Sequence, residues 1–433
     1  MIKWIKILIT GFFTSLFLFP IKISFFGDAN TKMIMAAMGV ALLVMDRIKK
    51  KTFSVSNDFL WVSILALGYS LWTYLSTIYN HTSDDVFTSY YMSFWVWLGG
   101  AFFIVQLMRS IHGEISVELI GNYLIGVGVF QCAMAFGTLY SPFIKRICDA
   151  SIDQGALNML SGGTVRLYGF GAAFDPTGLR MAGILVIDAF LFCLSVQKNQ
   201  LKRIPLYILS FIIILIGGNM MARSTTIGAG LGAMLALVFF WRNKSLEINV
   251  MPIILSLITL LAGVGTAVLL YLTSPELQSH FRFGFEGFFS LFERGKWVVH
   301  SNEVLKSMVV WPESLKTWII GDGYCRNPKG DPNFLGEVIG GFYMGTDIGY
   351  LRFIFYSGVP GLLLMVGIFV KSAFSCIKNL DPRYAILFVF LLFSNLVGWF
   401  KVMSDIIMVF APFLILAFEQ DHEKPMLENR LAA

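Results

Sequence analysis

The sequence predicts an all-α polytopic membrane protein with about twelve transmembrane helices and one large polar loop late in the chain. Apolar residues make up 56% of the chain and charged residues only 14%, where soluble domains carry about a quarter charged. Uninterrupted apolar runs of span length recur from end to end. Lys and Arg gather in alternate connections between those runs, the pattern that orients membrane proteins with their basic loops in the cytoplasm.

The expected spans fall at 4–20, 31–46, 59–79, 88–108, 117–137, 179–196, 204–221, 222–241, 250–272, 347–370, 384–400 and 404–418. Lys3 and Lys6 precede the first run, and no small-residue cleavage site follows it, so it reads as a retained span. The basic connections are Arg47-Ile48-Lys49-Lys50-Lys51, Arg109, Lys198 with Lys202-Arg203, Arg242 with Lys244, and Lys371, Lys378 and Arg383. The opposite turns hold only Lys22, Lys32, Arg223 and Lys401. Both termini are therefore expected in the cytoplasm. The seventh and eighth runs abut and require a tight turn near Met221–Ser224.

Two long segments then lie outside, 138–178 and 273–346, within a single integral membrane domain spanning 1–433. The polar stretch 419–433 is expected to be a loose cytoplasmic tail. The net charge of +6 does not point to nucleic acid, because no basic cluster interleaves with stacking aromatics. The five cysteines form no CxxC pair. Cys148 and Cys325 fall in the two outer segments, where they either pair across those segments or remain two free thiols.

The candidate chemistry lies in those outer segments. A planar, permanently charged guanidinium suits a phosphate-bearing ligand, and Arg166, Arg180, Arg223, Arg282, Arg294, Arg326 and Arg352 lie in or beside the outer segments. Arg223 either snorkels to the headgroups or faces a polar cavity. Asp175-Pro176 reads as a helix start, with the aspartate near the cap. In ERGKWVVHSNEVLKS, Arg294, Lys296, Trp297, His300 and Glu303 recur at helical spacing, which fits an amphipathic surface helix or a set of ligand contacts. Thr346-Asp347 opens a span, where a carboxylate either favours the helix N-terminus or serves as a general base. Tyr350 lies one turn on, placed to stack on or bond a sugar, and Gly358, Pro360 and Gly361 are expected to break or kink that span. No DxD, HExxH or His/Cys cluster suggests a metal, and no cofactor motif is present.

The order Arg166…Gly169…Asp175-Pro176, Ala222-Arg223-Ser224, Arg294…Trp297, Ile320-Gly321-Asp322-Gly323 and Thr346-Asp347…Gly349-Tyr350-Leu351…Gly358…Gly361 resembles the O-antigen polymerase and O-antigen ligase superfamily. The resemblance covers roughly 160–375. It implies a C-type membrane glycosyltransferase, inverting and metal-independent, in the bacterial inner membrane with its site facing the periplasm. The implied partners are undecaprenyl-diphosphate-linked donor and acceptor, membrane lipid and a chain-length regulator protein.

Carried onto this chain, the resemblance implies Arg166, Arg223 and Arg294 as binders of the donor pyrophosphate, with Lys296, Arg282 and Arg352 in second rank. Asp347 stands where the ligase branch typically has its histidine base, which favours a polymerase; a ligase would use His300, with Glu303 as a further candidate. The expected function is thus a surface-polysaccharide polymerase. A ligase acting on lipid A-core and a lipid-linked oligosaccharide flippase are the alternatives. Transporters usually show repeated halves and mid-membrane ionisable or helix-breaking residues, whereas this chain concentrates its charges in one late outer loop.

Overall fold

A computed structural model of the chain describes residues 2–23, 29–50, 55–163, 165–243, 250–326 and 341–431. Apart from short 3₁₀ turns and two isolated bridges, its regular structure is α-helical, with no strand among the described residues. In order the helices are α1 Ile2–Leu18, α2 Thr31–Lys50, α3 Asn57–Asn80, α4 Tyr90–His112, α5 Val117–Tyr140, α6 Pro142–Ser151, α7 Gln154–Ser161, α8 Phe174–Gln197 and α9 Ile204–Met221. They continue with α10 Thr225–Arg242, α11 Val250–Thr273, α12 Pro275–Gly284, α13 Glu286–Arg294, α14 His300–Ser307, α15 Leu315–Ile319, α16 Gly349–Asn379, α17 Ala385–Gly398 and α18 Ile407–Leu431.

Among the described residues, eight helices are long and apolar enough to cross a membrane: α3, α4, α5, α8, α9, α10, α11 and α16. The chain is thus a membrane-embedded helical protein. The four remaining expected runs fall on α1, α2, α17 and α18. Serines start several helices by accepting a backbone N–H, as Ser56 does from Phe59 and Ser116 from Leu119.

In an apolar solvent, association relies on close packing rather than on excluding water. Two glycine contacts provide it. A Cβ on Gly228 of α10 would lie 2.3 Å from the Ala182 carbonyl of α8, and one on Gly39 of α2 would lie 2.0 Å from the Gly99 carbonyl of α4. The backbones touch at both crossings. Helix α8 is the hub, buried along most of its length, whereas no residue of the most apolar window of α11 is buried.

At one end of the bundle, charged pairs join distant helices. Lys371 Nζ lies 2.5 Å from Asp58 Oδ1, and Asn379 Nδ2 donates to Asp58 Oδ2 at 2.7 Å. Arg109 grips Glu419 with both terminal nitrogens, at 3.0 and 2.5 Å. The start of the expected tail is thus tied to the bundle at Glu419 and at Asp421, which accepts from Ser56 at 2.8 Å, and α18 runs on to Leu431.

The described residues of 141–173, 274–326 and 341–348 gather at the opposite end, called here the loop end. Helix α16 is interrupted there: Gly358 has φ +67°, which a side chain would resist. The carbonyls freed by the break do not go unpaired. Phe355 O accepts from Asp322 N (2.6 Å), Tyr356 O from Gly323 N (3.2 Å) and Ser76 Oγ (2.8 Å), and Ser357 O from Trp72 Nε1 (2.7 Å). The Ile320-Gly321-Asp322-Gly323 run therefore fills the break. Non-helical backbone at membrane depth is tolerated only where it is covered in this way.

The candidate functional site at the loop end

Four segments, two of them adjoining in sequence, meet around Asp175. Residues 166–173 are pinned by buried Gln131, whose side chain accepts from Phe170 N and donates to Phe170 O, both at 2.9 Å. The turn 222–224 between α9 and α10 presents Arg223, and the tight expected turn is present. The loop between α17 and α18 is anchored by fully buried Trp399, whose Nε1 donates to Ser404 O at 2.7 Å. The fourth segment is the first turn of α8 itself.

Arg166 Nη1 and Lys401 Nζ each lie 3.7 Å from one carboxylate oxygen of Asp175. Those are ion-pair separations too long for hydrogen bonds. Arg166 Nε and Asp175 Oδ1 are accordingly buried without a hydrogen-bond partner. The cap expected of Asp175 is not made: the N-cap position is Ala173, which offers no side-chain bond. Phe174, at φ +58°, enters the helix in the left-handed region, an uncommon and costly state for a bulky residue. Its ring lies 5.5 Å from the Arg166 guanidinium.

Arg223 is held by the late loop. Its Nη1 lies 2.6 Å from Glu286 Oε2 and donates to Ser301 Oγ at 3.1 Å, while Nε donates to Phe283 O at 2.9 Å. The Phe283 ring lies under both Arg223 (4.3 Å) and Arg166 (5.2 Å), and so links the two cations. Burial pulls Arg223 below the ordinary arginine value, with Glu286 opposing and Arg166 adding to the depression. Burial likewise lowers the Lys401 ammonium, Asp175 opposing, with Arg166 and Arg223 lowering it further.

Asp347 precedes α16 and does not cap it, since the N-cap is Ile348 without a side-chain bond. Its Oδ1 instead accepts from Arg352 Nη1 at 3.2 Å. Burial pushes this carboxyl up to about 6, against the opposing pull of Arg352, and Asp175 adds to the rise. Arg352 also faces Cys325 Sγ at 3.3 Å and stacks 4.0 Å from the Phe342 ring. All five cysteines are buried and free, so Cys148 and Cys325 do not pair.

Other residues singled out in the sequence lie elsewhere. Arg294 and Lys296 are exposed, and Arg282 is exposed and paired with Glu293 at 2.7 Å. His300 and Glu303 are exposed on α14, with Glu303 bound to Lys306 at 2.8 Å. The continuous amphipathic helix expected over 293–307 is not formed. Gly295 ends α13 at φ +66°, a C-terminal cap that glycine favours, and the chain reverses. Trp297 folds back onto Phe288, ring centroids 4.9 Å apart. Tyr350 packs against Trp399 and Phe400, and its hydroxyl donates to Leu396 O at 2.8 Å, so its polar group is engaged within the bundle.

Sequence reasoning missed Lys401, Glu286, Lys32 and Asp405 as site residues. The available signal was their position in the sparsely charged turns or the late loop at span ends. Among the described residues no group of three or more His, Cys, Asp or Glu side chains converges to hold a metal ion. Two cavities, of about 550 and 490 Å³, do not open on this cluster; one is lined by Ile7, Phe12, His112 and Tyr123, the other by Val40, Arg47, Phe102 and Glu419. The charges, rather than a preformed hollow, define the site. Compared with protein-family models, curated proteins and solved structures, the chain matches none.

Proposed function

We propose that this chain is a twelve-span surface-polysaccharide polymerase of the bacterial inner membrane, with the loop end facing the periplasm. It transfers a growing glycan from undecaprenyl diphosphate to a sugar hydroxyl of a lipid-linked repeat unit. The observation that carries this reading is the convergence of Arg166 and Lys401 on Asp175, with Arg223 joined to Arg166 through the Phe283 ring and with Asp347 raised in part by the same Asp175 carboxylate. Cations partly withdrawn from water, with donor groups left unpartnered, suit a diphosphate that is first bound and then expelled. Side-chain charge thereby supplies the neutralisation that a metal supplies elsewhere.

In this mechanism Asp347 accepts the proton of the acceptor hydroxyl as its oxygen attacks the anomeric carbon. The bond from that carbon to the diphosphate oxygen breaks, and the diphosphate leaves onto Arg223, Arg166 and Lys401. Attack from the face opposite the leaving group inverts the anomeric centre. A carboxyl with a value about 6 is a competent base near neutral pH. Arg294, Lys296 and Arg282, on the exposed late loop, serve at most the glycan outside the membrane.

The ligase alternative differs only in its acceptor. The transporter alternative draws on the broken helix α16, a device common in transporters. Here the break is filled by Asp322, Gly323, Ser76 and Trp72 rather than lining a cavity, which weighs against transport. The test is polymerisation of purified lipid-linked repeat units by the purified protein, with and without chelator. Long products that persist in chelator support the reading, and absence of any glycosyl transfer refutes it. In cells, deletion should leave single-repeat molecules without a ladder; loss of all attached glycan would indicate a ligase.

A further inference from the structure

Beside the Asp175 cluster lies a second, separate group of cations and donors. Arg180 lies five residues further along α8, roughly 7 Å deeper at 1.5 Å rise per residue. Its Nη1 donates to Leu18 O at 2.7 Å, its guanidinium faces the Phe19 ring at 5.7 Å, and its Nε is buried without a partner. Lys32, in the first turn of α2, holds its ammonium 5.4 Å from the Trp97 ring. Two further donors belong to the rings beside Lys32. Trp97 Nε1 and Tyr90 OH are buried and unpartnered, and their rings meet at 5.5 Å. Both residues are more than nine-tenths buried.

The electrostatics of this pocket are unbalanced. Among the described residues, no carboxylate lies within ion-pair distance of Lys32 or Arg180. Asp405 is the acidic group that both cations sense, and it is partly committed, since its Oδ1 accepts from Ile407 N at 3.1 Å at the start of α18. Lys32 also sits at a helix N-terminus, the positive pole, where a cation is disfavoured and an anion is stabilised. Two half-buried cations, a positive helix end and two orphaned neutral donors together favour acceptor oxygens. Burying such groups unsatisfied is costly.

We propose that Lys32, Arg180, Tyr90 and Trp97 form a second oxyanion site, which binds the diphosphate of the acceptor lipid while the Asp175 cluster binds that of the donor. The assignment to the acceptor rests on the polymerase reading, because only a reaction between two lipid diphosphates needs two such sites. The loop between α17 and α18 connects them, with Lys401 on the first and Asp405 on the second. It thereby sets the spacing of the two headgroups.

The test is native mass spectrometry of the full-length protein in zwitterionic nanodiscs, titrated with undecaprenyl diphosphate. Wild type should bind two equivalents. Lys32→Gln and Arg180→Gln should each weaken one equivalent by roughly 10–100-fold, the range for a lost charged hydrogen bond, while Arg223→Gln weakens the other. Tyr90→Phe, which keeps the ring packing, should weaken the same equivalent as Lys32→Gln several-fold at unchanged Tm. It decides the matter if the charge variants fail to fold. One equivalent in wild type, indifferent to Lys32→Gln and Tyr90→Phe, overturns the second site and leaves the polymerase reading standing. No bound equivalent at all overturns that reading as well. Displacement of the second equivalent by equimolar phosphatidylglycerol would make the pocket a bulk phospholipid site and overturn its assignment to the acceptor.

Discussion

The two ends of the bundle solve opposite problems with the same residue types. At the α18 end, buried Asp58 is matched by Lys371, Lys378 and Asn379, all within 3.5 Å of its carboxylate. At the loop end, Arg166, Arg180, Arg223, Arg352, Lys32 and Lys401 outnumber Asp175, Glu286, Asp347 and Asp405, and donors on Arg166, Arg180 and Arg352 find no partner. A carboxylate saturated by its own chain serves the fold. On the proposed function, cations left in excess hold binding capacity for an anion. The difference separates structural from functional charge better than burial does, because both ends are substantially buried.

The largest expected effect comes from Asp347→Asn, which keeps the shape and removes the base. Glycosyl transfer should fall by roughly 10²–10⁴-fold, with Tm within a few degrees of wild type; full activity would remove Asp347 from the chemistry. Arg223→Gln should lower the rate by roughly 10²–10³-fold, the cost of losing a donor to developing negative charge. Because this change also strands Glu286, the Arg223→Gln, Glu286→Gln double variant should recover stability without recovering rate.

Asp58→Ala sharpens the comparison from the other side. Stranding Lys371 should destabilise the fold by about 3 kcal/mol, read as a lowered Tm, while transfer per folded molecule stays unchanged. An activity defect larger than the folded fraction explains would place this end in the function too.

The pH profile comes next. Since the Asp347 carboxyl is raised to about 6, kcat/KM should climb about tenfold per unit below that pH and level off above it, and the climb should vanish in Asp347→Asn. The sign for stability is opposite. Folding raises this carboxyl from its ordinary 3.8, so the native state binds the proton more tightly. Its contribution therefore falls as pH rises from about 4 through 6. The smallest effects are expected from His300→Ala and Glu303→Gln, under about twofold in rate, since exposed pairs such as Glu303–Lys306 contribute little.

The helices were legible because a bilayer imposes one length and one polarity on each segment that crosses it, and every expected run falls on a helix. Arg166 and Arg223 were legible because a cation at the edge of an apolar run needs a reason. Arg294 and Lys296 show the limit of periodicity. Helical spacing suggested a shared face, and a single glycine at 295 ended the helix before that face could form. Asp175 shows a related limit, since a residue with the composition of a cap became the centre of the charge cluster.

By itself, then, the sequence determined that the protein is helical and membrane-embedded, where the charges fall along the chain, and that the span holding Gly358, Pro360 and Gly361 breaks or kinks, because those follow from local hydropathy and backbone freedom. Only the tertiary structure decided which charges meet. Lys401 reaches Asp175, Glu286 reaches Arg223, and Arg180 reaches the Leu18 carbonyl through contacts between segments tens to hundreds of residues apart. Such pairings depend on how helices pack, and nothing in the local spacing of a chain encodes them.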